Sequence, residues 1–187
     1  MIIKILGSGA GGGFPQWNCN GIHSSAVRAG KPGYQPRTQS SLAVSSDGRN
    51  WALLNASPDL RQQIADNPEL HPEKTGPLRN SPIKAAVLTN ADVDHIVGLI
   101  NLRERQPFSV YGSDCVLATI NANSIFDVCA RDVVPRIALP LDEKIELMGD
   151  GIDLGLTVEA FAVPGKIALF LEKGGEDTNY GSREGDT

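Results

Sequence analysis

The sequence predicts a layered α/β domain. Short apolar runs of strand length alternate loosely with segments of helical spacing, and the strand-like runs outnumber the helical ones. With 41% hydrophobic residues, 20 glycines and 12 prolines in 187 residues, the composition is that of one ordered, loop-rich globule with a sizeable core. Lys and Arg number 17 against 22 Asp and Glu, a formal charge of −5, which argues against a general phosphate-binding surface and against nucleic acid as a partner. The N-terminal apolar run, Met1 to Leu6, is broken by Lys4 and leads straight into glycines. It fits neither a signal peptide nor a membrane span of ~20 apolar residues, so a cytoplasmic protein is expected. Cys19, Cys115 and Cys129 are widely spaced and odd in number, which suits reduced, inert thiols better than a disulfide framework.

Taken in order, Ile2, Ile3, Ile5 and Leu6 read as a buried strand that delivers a glycine-rich loop, Gly7 to Gly13. Phe14 to Arg37 is rich in proline and glycine, lacks any carboxylate and shows no period, so a long loop is expected there. Ser41 to Ser45 and Trp51 to Asn55 read as a hairpin around the turn Ser46-Asp47-Gly48-Arg49. Ser57 followed by Pro58 is a helix-start signal, predicting a short helix from Asp59 to about Asp66 that stops before Pro68. Asn67 to Pro82, with four prolines, is a connector. A compact β-run, Lys84 to Thr89, then ends in a polar cluster, Asn90 to His95, and Ile96 to Arg105 carries the spacing of a short helix. The remainder predicts a strand at Phe108 to Tyr111 and a helix from Asp114 to Asn121 or on towards Ala130. Further strands are expected at Ile137 to Leu141, Ile145 to Met148, Leu156 to Val163 and Ile167 to Leu171.

Gly7-Ser8-Gly9-Ala10-Gly11-Gly12 matches the G-x-G-x-x-G pattern after a strand, yet the context of a dinucleotide site is missing. Such a site needs a helix opening at the third glycine and an acidic residue about 20 positions on. Here Pro15 and Trp17 follow instead, and the first carboxylate is Asp47, so no NAD is expected and the loop reads as a tight turn at the edge of a site. Asp92, Asp94 and His95 can converge on one cation from a strand end, and oxygen donors with one imidazole suit Fe(II) or Mn(II) better than a closed thiolate zinc site. The bland alternative has Asp92 capping the next helix, Asp94 solvated and His95 packed in the core. A catalytic metal site commonly uses three or more protein ligands with an open position, so either the chain binds no metal or, as the loop-like Ser182 to Thr187 favours, further donors lie beyond Thr187.

Several stretches together carry a resemblance that covers essentially the whole chain. They are Leu6 to Cys19 (LGSGAGGGFPQWNC), Arg37-Thr38-Gln39-Ser40-Ser41, Asn55-Ala56-Ser57-Pro58-Asp59, Thr89-Asn90 with Asp94-His95 and Gly98-Leu99, and Ala162 to Lys166. In these the sequence resembles the family of coenzyme PQQ (pyrroloquinoline quinone) synthesis protein B, within the metallo-β-lactamase fold superfamily. The resemblance implies an αββα sandwich of which this chain, 1–187, is the N-terminal part of a single domain. The H-x-H-x-D-H ligand motif of the superfamily falls on Asn90, Asp92, Asp94 and His95, so its first two histidines are absent. Many family members carry a C-x-C-x-x-C zinc knuckle; here Cys19 is kept, with Gly21 and Ser24 at the other positions.

The chemistry implied by the resemblance is iron-dependent hydroxylation of the tyrosine of the precursor peptide that becomes PQQ, with zinc the alternative metal. Carriage of PQQ or its precursor towards the periplasm is an older family-level reading, and an inactive fragment is a third. The resemblance assigns Asp92, His95 and Asp94 as metal-proximal and catalytic, and Asn90 as a supporting hydrogen-bond partner. Arg37, Gln39, Trp17 and Asp59 are the candidate substrate-binding residues. Arg37 would hold a carboxylate or stand solvated in its loop, Asp59 would face the same cleft or sit as a first-turn helix carboxylate favoured by the dipole, and Trp17 would stack on an aromatic ring or bury its own ring to anchor the loop. Expected partners are the precursor peptide or a PQQ intermediate, and a homodimer.

Overall fold

In the computed structural model, which describes residues 1–163, the N-terminal run forms β1 (Ile2–Gly7), not the buried strand expected but an edge strand with Ile2, Ile3 and Ile5 exposed and Leu6 buried. The glycine loop follows, and then a short helix, α1 (Ile22–Arg28), inside the segment expected to be all loop. Its signal is weak because Gly21 provides no side-chain cap and the first turn holds no acidic residue. The predicted hairpin is present as β2 (Ser41–Ser45) and β3 (Trp51–Leu54). Helix α2 (Leu60–Asp66) begins later than Ser57: Asp59 occupies the cap position, and the Ser57 hydroxyl instead donates to Gln63 Oε1 at 3.1 Å. Within the proline-rich connector, Pro68–Leu70 makes one 3₁₀ turn.

The central strand is β4 (Ile83–Leu88). The following helix starts at Val93 rather than Ile96, as α3 (Val93–Ile96), and tightens into a 3₁₀ segment over Val97–Leu102. Strand β5 (Ser109–Gly112) leads to α4 (Asp114–Ala122), which Ser113 caps by accepting from Val116 N, and then to a 3₁₀ segment at Ser124–Val128. Three strands close the described chain: β6 (Arg136–Ala138), β7 (Lys144–Gly149) and β8 (Ile152–Glu159). β6 is shorter than the expected Ile137 to Leu141, and β8 begins four residues before the expected Leu156 because its outer face, with Asp153 and Gly155, is polar and exposed. The expected strand Ile167 to Leu171 lies outside the described residues.

Six strands form one sheet in chain order, β1 to β6, antiparallel from β1 to β3 and parallel from β3 to β6. The parallel pairs need crossovers, and α2, α3 with its 3₁₀ extension, and α4 supply them. Side chains alternate across the sheet with period two. Trp51, Leu53, Ala86, Leu88 and Val110 meet Leu60, Ile96, Leu99 and Ile120 of the helical layer. Ala52, Ala85, Val87 and Tyr111 face the opposite way and meet Leu147 and Leu154 of the β7–β8 hairpin. The result is three layers, helices on sheet on hairpin, with β4 buried on both faces. Among the described residues no helix is long and apolar enough to cross a membrane.

Candidate metal centre

Strand β4 ends where the polar cluster begins, and Asn55 fixes that end. Its φ of 63° turns the chain out of β3, and its Oδ1 accepts from Thr89 N at 2.9 Å, so the two parallel strands are tied at the rim. Asn90 Oδ1 then accepts from Asp92 N at 3.0 Å, a side-chain turn that sets Asp92 in extended backbone at the helix start. His95 N and Ile96 N donate to Asp92 O, at 2.9 and 3.1 Å, which winds Asp94 and His95 into the first turn. Two backbone bonds dock that turn on the loop after β3: Ala56 N donates to His95 O at 2.7 Å, and Gly98 N to Ala56 O at 2.8 Å. Gly98 permits the approach, since a Cβ there would stand 2.1 Å from Ser57 O.

Asp92, Asp94 and His95 each offer one ligand atom, and the three atoms lie within 4.8 Å of one another. The bland alternative fails at Asp92, whose carboxylate makes no capping hydrogen bond. Among the described residues, His95 Nδ1 is buried and has no hydrogen-bond partner, although Asp94 Oδ1 lies 3.3 Å away. An unpartnered buried nitrogen beside two carboxylates is the donor set that a divalent cation satisfies, and three side chains on one turn leave further coordination positions for other donors.

The glycine loop lies against this cluster. A Cβ built on Gly11 would stand 3.2 Å from Asp94 Oδ2, so the loop backbone forms a wall beside that carboxylate. Gln39 and Asp59 are both turned into that wall. Gln39 is buried, its Oε1 accepts from Gly12 N at 2.9 Å, and its backbone N and Nε2 donate to Asp59 Oδ2 at 2.8 and 3.0 Å. Thr38 and Gln63 extend the network, through Gln63 Nε2 donating to Gln39 O at 2.8 Å and to Thr38 Oγ1 at 3.2 Å. Sequence reasoning missed this role for Gln63, Thr38 and Asn55, because polar residues 20 or more positions apart leave no periodic signal.

Arg37 is exposed, with Nη1 3.4 Å from Ser8 Oγ, and it lines an open groove of about 510 Å³ together with Phe14, Pro15, Thr38 and Asp59. Trp17 is 85% exposed, so its ring does not anchor the loop by burial. The anchor is Arg28: its guanidinium donates to the carbonyls of Cys19, Gln16 and Trp17, gathering the lobe that α1 closes. Cys19 sits in the same lobe, where the Ser24 hydroxyl first and the Gly21 N–H second draw its thiol below the usual range.

Three layers with a ligand cluster at a strand end define the class. Residues 50–182 match the model of the β-lactamase superfamily domain, and the chain belongs to that family. Its fold is the metallo-β-lactamase fold, of which the described helices, sheet and hairpin supply an αββ part. Over 172 residues the chain is 54% identical to coenzyme PQQ synthesis protein B of Methylorubrum populi, covering 92% of this chain and 55% of that protein. The same protein of Gluconobacter oxydans is 52% identical over 174 residues, covering 92% and 56%. The crystal structure of zinc-bound PqqB from Methylobacterium extorquens matches with a TM-score of 0.86 at 52% identity, over 93% of this chain and 56% of that one. The chain thus spans about half the length of the curated relatives it matches.

Proposed function

We propose that this chain supplies one face of a divalent-metal site in a PQQ biosynthesis protein of the cytoplasm, and that the site serves hydroxylation of the tyrosine of the precursor peptide. The observation that carries the reading is the convergence of Asp92, Asp94 and the buried nitrogen of His95 that has no hydrogen-bond partner among the described residues. Support for the pathway comes from the 54% identical relative, whose name is that of a PQQ synthesis protein. When bound, iron in an open oxygen-and-imidazole site supplies activation of O₂. Zinc, which the Methylobacterium extorquens relative holds, is the competing metal.

Asp92 and His95 bind the metal directly, Asp94 completes the donor face beside His95 Nδ1, and Asn90 orients Asp92 through the turn bond. Arg37, at the groove mouth, fits a carboxylate of the peptide, and exposed Trp17 offers an aromatic face to the substrate ring. The relatives are about twice as long as the part this chain matches, which leaves room in them for further donors. The test uses the full-length protein, reconstituted anaerobically with Fe(II) or Zn(II), followed by metal analysis and O₂ uptake with the precursor peptide and a reductant. Expected is about one Fe(II) per chain with peptide-dependent O₂ uptake that Asp92→Ala and His95→Ala abolish. No retained metal, or PQQ binding untouched by Asp92→Ala with no turnover, defeats the reading.

A further inference from the structure

We infer that Asp59 and Gln39 are positioning residues for the metal centre: acting through the Gly12 amide, they hold the glycine loop against the Asp94 carboxylate without being donors themselves. The inference rests on the metal reading of Asp92, Asp94 and His95 and names what keeps that cluster in shape.

A carboxylate only accepts hydrogen bonds, whereas an amide side chain has one donating and one accepting end. Asp59 Oδ2 takes both the backbone N and the Nε2 of Gln39, so the accepting end, Oε1, must face the other way, towards Gly12 N. Gly12 and Gly13 have φ of +88° and +69°, and glycine holds such angles with little preference of its own. The Ala10–Gly13 turn, closed by Gly13 N donating to Ala10 O at 2.9 Å, leaves the Gly12 N–H to Gln39, and Asp59 in turn fixes which end of the Gln39 amide meets it. Buried Gln63 closes the network from behind by donating to Gln39 O. One residue before Gly12, Gly11 faces Asp94 so closely that an added Cβ would stand 3.2 Å from Asp94 Oδ2. Without the Asp59 carboxylate, the Gln39 amide loses its fixed sense and can present NH₂ to the Gly12 N–H, donor against donor. The loop then lifts and Asp94 loses its wall.

The test compares the full-length wild-type protein with Asp59→Ala, Asp59→Asn and Gln39→Met by three readouts. These are amide hydrogen exchange at Gly12, the side-chain carboxyl ¹³C shift of Asp94, and Mn(II) affinity from the loss of the free-ion EPR signal. Expected are faster Gly12 exchange, a displaced Asp94 resonance and Mn(II) affinity weakened on the order of tenfold, the size typical of residues that support metal ligands. Asp59→Asn, which keeps an acceptor for Gln39 N, is expected to fall between wild type and Asp59→Ala, and it carries the test if Asp59→Ala fails to fold. Faster Gly12 exchange with an unmoved Asp94 resonance and unchanged Mn(II) affinity overturns the inference, as does unchanged Gly12 exchange. A full-length wild-type protein that binds no Mn(II) sinks the metal reading instead, while the Gly12 and Asp94 readouts still decide whether Asp59 and Gln39 position that carboxylate.

Discussion

Gly98 shows how closely single residues are specified around the cluster. A methyl group there would meet Ser57 O at 2.1 Å and Ala56 O at 2.7 Å, both backbone atoms that cannot swing aside. Gly98→Ala is expected to cost about 1–3 kcal/mol, the usual range for overpacking, in urea unfolding. It should also displace His95, because the same Ala56 peptide holds both residues. The cysteines, all expected to be inert, divide by environment. Burial pushes the Cys129 thiol up, so little thiolate exists at neutral pH, whereas the Ser24 hydroxyl draws Cys19 down. A thiol reagent is expected to label Cys19 well before Cys129, which should react only in denaturant. Ser24→Ala should slow Cys19, and equal labelling rates for Cys19 and Cys129 in the native protein would contradict this account.

Between elements, small polar groups set the register. In the β2–β3 turn, Asp47 Oδ1 accepts from Arg49 N and Asn50 N, each at 2.8 Å, and from Ser45 Oγ. The Asn50 and Arg49 N–H groups hold its carboxyl well below the usual carboxylate range. Its folded value is thus depressed, so its contribution is complete above the unfolded value of about 4 and is lost as pH falls through the folded one. Asp47→Ala is expected to lower stability by about 1 kcal/mol at pH 7, discounted for its exposure, and the gap should narrow in urea melts below about pH 4. Across the layers, Tyr111 Oη donates to Met148 O at 2.8 Å and accepts from Met148 N at 2.9 Å, clamping β5 to β7. Tyr111→Phe orphans both groups and should cost about 1–3 kcal/mol, seen as a lower midpoint in thermal or urea unfolding.

The same scale explains what was legible in the sequence. β2 to β5 are readable because their apolar residues fill one or both faces with period two. α1 is not, because Ile22–Arg28 lies among prolines and glycines and is stabilised by Arg28 reaching back to carbonyls 9 to 12 residues away. The donor cluster is legible because its three residues fall within four positions of one turn. The wall behind it is not, because Gly12, Gln39 and Asp59 meet only after the sheet has brought three separate loops together.

For the molecule as a whole, ion binding and folding are linked. If the cluster binds Mn(II) or Fe(II), the melting temperature should rise with ion concentration, by about 2.7 kcal/mol of added stability at 100 times the dissociation constant, and a chelator should reverse it. Asp94→Ala is expected to remove that increment; scanning calorimetry with and without the ion checks this. The lobe beside the cluster obeys a different logic, because Arg28 is threaded into the backbone it fastens. A guanidinium clip of this kind can be neither stripped by chelation nor consumed by oxidants, so that portion of the surface can take its final form before any cation has been delivered.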